Sequence, residues 1–199
     1  LAGVKNIPKG LFSECRKITM MSLTGNYAEI KTFDVANGPG IRVSLFVSGC
    51  NHRCPGCFNE QAWDFNFGQP FTQETIDYII DTLSFDAYQG VTFLGGEPME
   101  PVNQKGLLPL ARKIKETYPE KDIWCFTGYD FEKDIIGHMY NECPETKELL
   151  SYIDVLVDGP FIEAQKNLNL VFRGSENQRL IRIPETLKTG NIVLWEKEM

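Results

Sequence analysis

Cys50, Cys54 and Cys57 crowd into one stretch, Ser48-Gly49-Cys50-Asn51-His52-Arg53-Cys54-Pro55-Gly56-Cys57-Phe58-Asn59, whereas Cys15, Cys125 and Cys143 are scattered. Thiolates at spacings of four and three residues can wrap one metal centre from a single loop. Zinc would normally recruit a fourth protein ligand to close a tetrahedron. His52 is the nearest candidate, but it lies between two of the cysteines, where reaching the same ion is strained. Three thiolates with no evident fourth ligand leave one iron of a 4Fe–4S cubane open, and a chelating cofactor can occupy an open iron. On residue types alone, a zinc-stabilised binding module or three buried thiols remain the alternatives. A disulfide framework would spread its cysteines along a small secreted chain, and this chain is neither small nor evidently secreted. A reducing compartment is expected, most simply the cytoplasm.

Gly95-Gly96-Glu97-Pro98 follows about forty residues later. Its glycines permit close backbone approach, and its carbonyls or Glu97 can receive a positively charged amino group. Alone, the same four residues would be a tight turn. Phe58, Trp63, Phe65, Phe67 and Phe71 line the loop after the cysteines. They are suited either to shielding a cluster from solvent or to plugging the space beneath a long loop. Cys125 and Cys143 form no C-x-x-C pair, and both read as incidental thiols. His138 reads as a helix residue rather than a base.

The elements that must position these residues are legible as alternating patterns. Tyr27 to Asp34 reads as a strand, broken by Asn37-Gly38-Pro39-Gly40. Ile41 to Ser48 is a second strand that runs straight into the cysteines. Thr72 can cap a helix whose Ile76, Ile79, Ile80 and Leu83 form one apolar stripe. Val91 to Leu94 is a buried strand ending at the glycine pair, and Leu107, Leu110, Ala111 and Ile114 mark the next helix. Asp122 to Thr127, Ile153 to Val157 and Gln178 to Ile183 supply further strands, with helical pieces between Phe131 and Tyr152 divided at Pro144. This alternation predicts an α/β fold, a partial TIM-like barrel of about five or six mostly parallel strands with outer helices. Ligands then gather at the carboxyl ends of the strands, where the cysteines, Gly95-Gly96, Thr127-Gly128-Tyr129 and Asp158-Gly159-Pro160 all fall. Residues 1–19 read as an extension, and 20–199 as a single domain.

Composition narrows the classes. The 199 residues are 42% hydrophobic and 24% charged, an ordinary globular balance. A net charge of −7 disfavours nucleic acid as a partner, and no apolar run reaches the ~20 residues of a membrane span. No Walker-type loop is present to bind a nucleoside triphosphate.

The C-x3-C-x2-C spacing resembles the signature of radical S-adenosylmethionine enzymes, and Gly95-Gly96-Glu97-Pro98 resembles their glycine-rich cofactor motif. The resemblance implies a 4Fe–4S cluster on Cys50, Cys54 and Cys57, with S-adenosylmethionine on its open iron cleaved by one electron to a 5′-deoxyadenosyl radical. Many members place an aromatic residue before the third cysteine, where this chain has Gly56. The backbone of Gly56, Cys57 and Phe58 is therefore the expected contact there, beside Gly95, Gly96, Glu97 and Pro98. Asn37-Gly38-Pro39-Gly40, Cys54-Pro55-Gly56-Cys57, Thr127-Gly128-Tyr129 and Arg173-Gly174-Ser175-Glu176-Asn177-Gln178-Arg179 sharpen the likeness further. Together they resemble the activating proteins of anaerobic ribonucleoside-triphosphate reductases, over about residues 26–182. That family implies hydrogen abstraction from a glycine of the large reductase subunit, with a reduced flavodoxin-type protein as electron donor. No protein side chain is expected to act as acid, base or nucleophile. Another glycyl-radical partner or a small molecule is the second enzyme reading, and Arg173 to Arg179 reads either as a partner-binding segment or as an edge strand. Protein purified without oxygen is expected to be coloured and to hold iron and acid-labile sulfide. A colourless protein with zinc and no sulfide would return the loop to the zinc reading.

Overall fold

The structure, a computed structural model, describes residues 22–196; the stretch 1–19 lies outside them. Period-two alternation along the strands decides which side is packed. Val43, Leu45 and Val47 of β2 (Ile41–Val47) share one buried face with Val91 and Phe93 of β4 (Tyr88–Gly95) and with Ile123 and Cys125 of β5 (Asp122–Phe126). Leu156 of β6 (Val155–Asp158) and Ile181 of β7 (Arg179–Arg182) continue that face. The helices cover it. In α1 (Gln73–Thr82), Ile76 and Ile79 point inward, and α2 (Pro101–Thr117) buries Leu107, Leu110, Ala111 and Ile114. Thr72 and Thr75 form a reciprocal capping box at the start of α1, which places that helix where the sequence predicts it. A wide-turn helix (Phe131–Met139) runs into α3 (Tyr140–Glu142), and Pro144 opens α4 (Pro144–Tyr152), as the break at proline requires.

The sheet has seven strands in the order β3-β1-β2-β4-β5-β6-β7. Strands β2, β4, β5 and β6 are parallel neighbours, in agreement with the alternation of strands and helices between them. The expectation of five or six mostly parallel strands needs two corrections. First, β1 (Ser22–Asp34) runs antiparallel to β2, and β7 antiparallel to β6. A parallel neighbour needs a long crossover, and the short Asn37-to-Gly40 turn supplies only a hairpin. Asp34 fastens that turn by accepting from the Ala36 N–H at 2.8 Å and from Asn37 Nδ2 at 2.6 Å. Second, β3 (Gln69–Thr72) pairs with β1 inside the stretch read as an aromatic loop. Its Pro70 suits the edge position it occupies. A short helix, α5 (Ile183–Thr189), was also not expected; Pro184 in its first turn and the left-handed Gly190 after its last turn are the signals that mark it.

Among the described residues no helix packs into the core of the other side of the sheet, where Trp124 gathers Phe172 and Trp195 around it at 5.4 and 5.1 Å between ring centres. Arg42 lies fully buried on this side. Its guanidinium reaches Asp122 at 2.6 Å, the Thr92 hydroxyl at 2.8 Å and the Val91 carbonyl at 2.8 Å, with Trp124 beneath it at 5.5 Å. One side chain thus ties β2, β4 and β5 together across their faces. Deleting one member of a buried pair strands the other, at about 3–5 kcal/mol. Arg42→Ala is expected to lose that much unfolding free energy in a urea titration, and a loss below about 1 kcal/mol would show the pair to be dispensable.

Candidate metal and cofactor centre

The cysteine loop is held by backbone. At its base the Gly49 N–H donates to the Ala62 carbonyl at 2.7 Å and the Cys50 N–H to Trp63 at 3.2 Å, so the short helical turn Glu60–Trp63 closes the loop on itself. The end of β4 then locks alongside, with the Gly96 N–H on Val47 at 2.7 Å and the Glu97 N–H on Gly49 at 2.8 Å. A Cβ on Gly96 would lie 2.6 Å from the Gly49 carbonyl oxygen and 2.8 Å from that of Ala62, so only glycine allows this approach. Buried Asn103, in the first turns of α2, clamps the seam. Its Nδ2 donates to the carbonyls of Ser48 at 3.0 Å and Glu97 at 2.8 Å, with that of Gly49 at 3.4 Å.

Cys50, Cys54 and Cys57 are free thiols on this loop, Cys50 buried and the other two half-buried. The Asn59 N–H donates to Cys57 Sγ at 3.4 Å. Donors aimed at sulfur are what a cluster thiolate requires, and they tune its potential. Cys125 behaves oppositely: it is wholly buried and directs its S–H at the Phe126 carbonyl, an inert core thiol as its isolation predicts. Burial pushes the Cys50 thiol up to about 11, and burial likewise raises Cys54. Loading a metal centre must therefore displace protons at neutral pH.

Three thiolates without a fourth protein ligand suit a cluster with one open iron, whereas a structural zinc takes four protein ligands. Among the described residues, Asp130, Glu132 and Asp158 bring three ligand atoms within 4.8 Å of one another. That acidic trio is already answered by Arg179, which bonds Asp158 and reaches Glu132 at 2.6 Å; the bond to Arg179 holds the Glu132 carboxyl below the usual range.

The remaining residues singled out from sequence take up distinct positions. Gly56, in a left-handed turn, lies under the Glu163 carboxylate, close enough that a Cβ would sit 3.2 Å from it. Phe58 stands 86% exposed, so its ring shields nothing within the chain. Phe71 belongs to the core, while Phe65 lies flat over Gly49. Gly95 and Gly96 are half-buried, and Pro98 is buried behind them. The Glu97 carboxylate is 1% exposed and turned inward, accepting from Met99 N–H at 2.8 Å, the Thr127 hydroxyl at 2.7 Å and Gly128 N–H at 2.7 Å, with His52 Nε2 at 3.1 Å. The scaffold thus takes most of its accepting capacity, and the carbonyls of the motif are the other acceptors the sequence offers. His138 is an exposed helix residue.

Arg173 to Arg179 folds as a turn. The Gln178 side chain accepts from the Gly174 and Ser175 N–H groups at 2.9 and 3.1 Å and donates to the Gly159 carbonyl at 3.1 Å. Asn177 donates to Pro160 at 2.8 Å, and Arg179 begins β7. Six of the seven residues thus lie in the turn that leads into the edge strand β7, and only Arg179 belongs to that strand. Sequence reasoning missed Glu100 and Asn103. Their signal was available, since Glu97, Glu100 and Asn103 recur every third residue through the turn that leads into α2, Glu100 preceding its first residue and Asn103 lying in its first turn.

A family model described as a 4Fe-4S single cluster domain matches residues 36–181, which include all three loop cysteines. The anaerobic ribonucleoside-triphosphate reductase-activating protein of Escherichia coli is 41% identical over 155 residues, 77% of this chain and 96% of that protein. The chain belongs to this family. Members of the same name from Vibrio cholerae and Haemophilus influenzae are 42% and 41% identical, over 79% of this chain and 97% of each relative. Family membership agrees with the likeness read from the motifs and covers the whole seam described above.

Removing the clamp isolates its contribution. Asn103→Ala leaves buried carbonyls without their donor, each at about 1–3 kcal/mol. The variant is expected to unfold at lower urea, and Asn103→Asp lower still, because a carboxylate would face those oxygens. Equal stability of Asn103→Asp and the unaltered chain would remove Asn103 from this role.

Proposed function

We propose that this chain is a radical S-adenosylmethionine activase of the anaerobic ribonucleoside-triphosphate reductase, with Cys50, Cys54 and Cys57 as the ligands of its 4Fe–4S cluster. The observation that carries the assignment is that the three cysteines stand on one loop locked by main chain to the end of β4, in a chain of this family that a 4Fe-4S single cluster domain matches over residues 36–181. When bound, the reduced cluster and S-adenosylmethionine supply a 5′-deoxyadenosyl radical that takes one hydrogen from a glycine of the large reductase subunit.

The protein's own part is positioning, since radical abstraction rewards geometry above all. The backbone of Gly56, Cys57 and Phe58 lies on one side of the seam, and that of Gly95, Gly96, Glu97 and Pro98 on the other. Between them they hold the cofactor's methionine end. The side of the sheet free of core helices faces the adenosyl group, and the sheet is read as a partial barrel within a single domain, 20–199. Leaving one flank without helices suits a protein substrate, because a peptide loop needs an open approach. Exposed Phe58 stands on the cysteine loop, and exposed Ile162 and Leu168 on the excursion between β6 and β7. These apolar side chains are the partner's first contacts. A reduced flavodoxin-type protein delivers the electron, and the setting is the cytoplasm. Among the described residues no helix is long and apolar enough to cross a membrane.

Anaerobic incubation of the reduced, reconstituted protein with S-adenosylmethionine and the anaerobic reductase tests this reading. A glycyl-type doublet should appear in the electron paramagnetic resonance spectrum, and Cys54→Ala should abolish both it and cofactor cleavage. Cofactor cleavage with a diamagnetic reductase would overturn the partner assignment.

A further inference from the structure

We propose that His52, acting through Glu97, is a latch that fastens the cysteine loop to the ends of β4 and β5 and sets the pose of the cluster against the cofactor. The inference rests on the assignment of Cys50, Cys54 and Cys57 as cluster ligands. His52 is a positioning residue in this scheme.

The two residues after Cys50 both leave the loop to find carboxylates. The Asn51 N–H donates to Glu100 Oε1 at 3.1 Å, and His52 Nε2 lies 3.1 Å from Glu97 Oε2. A carboxylate offers about four acceptor positions. In Glu97 three are taken by the scaffold, through Met99, Thr127 and Gly128, so the group is rigid and has one direction left, toward the loop. His52 fills it. The imidazole also packs on Tyr129 at 4.3 Å between ring centres, and the Tyr129 hydroxyl donates to Glu100 Oε1 at 3.2 Å. Asn51, Glu100, Tyr129, His52 and Glu97 thus form a closed circuit joining the loop to both strand ends.

Two further observations show that the circuit was built around the ring. A Cβ at Gly128 would lie 2.7 Å from His52 Cδ2, so the seat of the imidazole exists only because position 128 is glycine. Arg53, the next residue, takes a left-handed conformation at φ 49, which a side chain adopts at a cost of about 1 kcal/mol or more. This bend swings the chain back toward Cys54, and a strained bend persists only where its neighbours fix it. The imidazole serves that end by turning its nitrogen to Glu97. Without the latch, the span between the first two ligands keeps the Asn51 bond but loses its hold on β5.

The test uses the full chain, reconstituted anaerobically as His52→Ala, His52→Gln and Gly128→Ala, with Cys54→Ala as a control. Iron, sulfide and thermal melting are measured, then the spectrum of the reduced cluster before and after S-adenosylmethionine, and the affinity for it. His52→Ala is expected to keep its iron but to bind the cofactor about tenfold or more weakly, with a blunted spectral change. His52→Gln, whose amide nitrogen can reach Glu97, should recover most of both, and Gly128→Ala, which unseats the ring, should reproduce the His52→Ala defect. Unchanged affinity and spectrum in His52→Ala would overturn the latch, and so would His52→Gln failing in the same way as His52→Ala. A full cluster signal in Cys54→Ala would instead overturn the ligand assignment.

Discussion

The close seam between the cysteine loop and the end of β4 is the constraint from which the rest of the centre follows. Two peptide segments approach until the Gly96 Cα faces the carbonyls of Gly49 and Ala62, leaving no room for a side chain. Such an approach buries N–H and C=O groups, and each must find a partner. They find one another across the seam, and Asn103 answers the carbonyls that remain. The outcome is a loop whose first thiol is fixed by main chain, independent of any metal. A loop fixed in this way is preorganised, so the ordering entropy of its backbone is lost in folding rather than on cluster assembly.

What the sequence made legible was local. The cysteine spacing, the glycine motif and the apolar stripes of α1 and α2 each depend on residues within a few turns of one another, and the two stripes face the core as expected. Strand direction was less accessible, because alternation specifies a parallel neighbour only where a helix intervenes; β1 and β7 have none on the relevant side. Glu97 is the instructive case. Its residue type suggested a group offered to a ligand, but Thr127 and Gly128, about thirty residues onward, claim its oxygens. No pattern within the motif reports on donors that distant. His52 was hidden for the same reason: its partner lies on another strand, so a loop histidine looked like a poor zinc ligand and nothing more.

The two sides of the sheet divide the work. The helix-covered side is continuous aliphatic packing, which supplies the hydrophobic stabilisation. The other carries Arg42, Ser44 and Thr92 among its buried residues, a polar content that would be costly unless satisfied. Arg42 meets part of that cost from β2 by giving its donors to Thr92 and Val91 of β4 and to Asp122 of β5, and Trp124 beneath it supplies the apolar contact that water would otherwise take. A surface with polar groups already anchored in place can line a charged cofactor without collapsing onto itself.

The excursion from Gly159 to Gln178 lies beside this division. It leaves β6, lays Glu163 over Gly56, and returns as the edge strand β7. Gln178 closes it like a clasp, with both ends of one amide engaged. The polar residues of Arg173 to Arg179 are thereby consumed in holding the excursion in shape. Leu168 is 89% exposed and Ile162 36%, and neither gains anything from water. Folding thus commits the polar groups of this segment to its own shape and leaves these apolar ones uncovered.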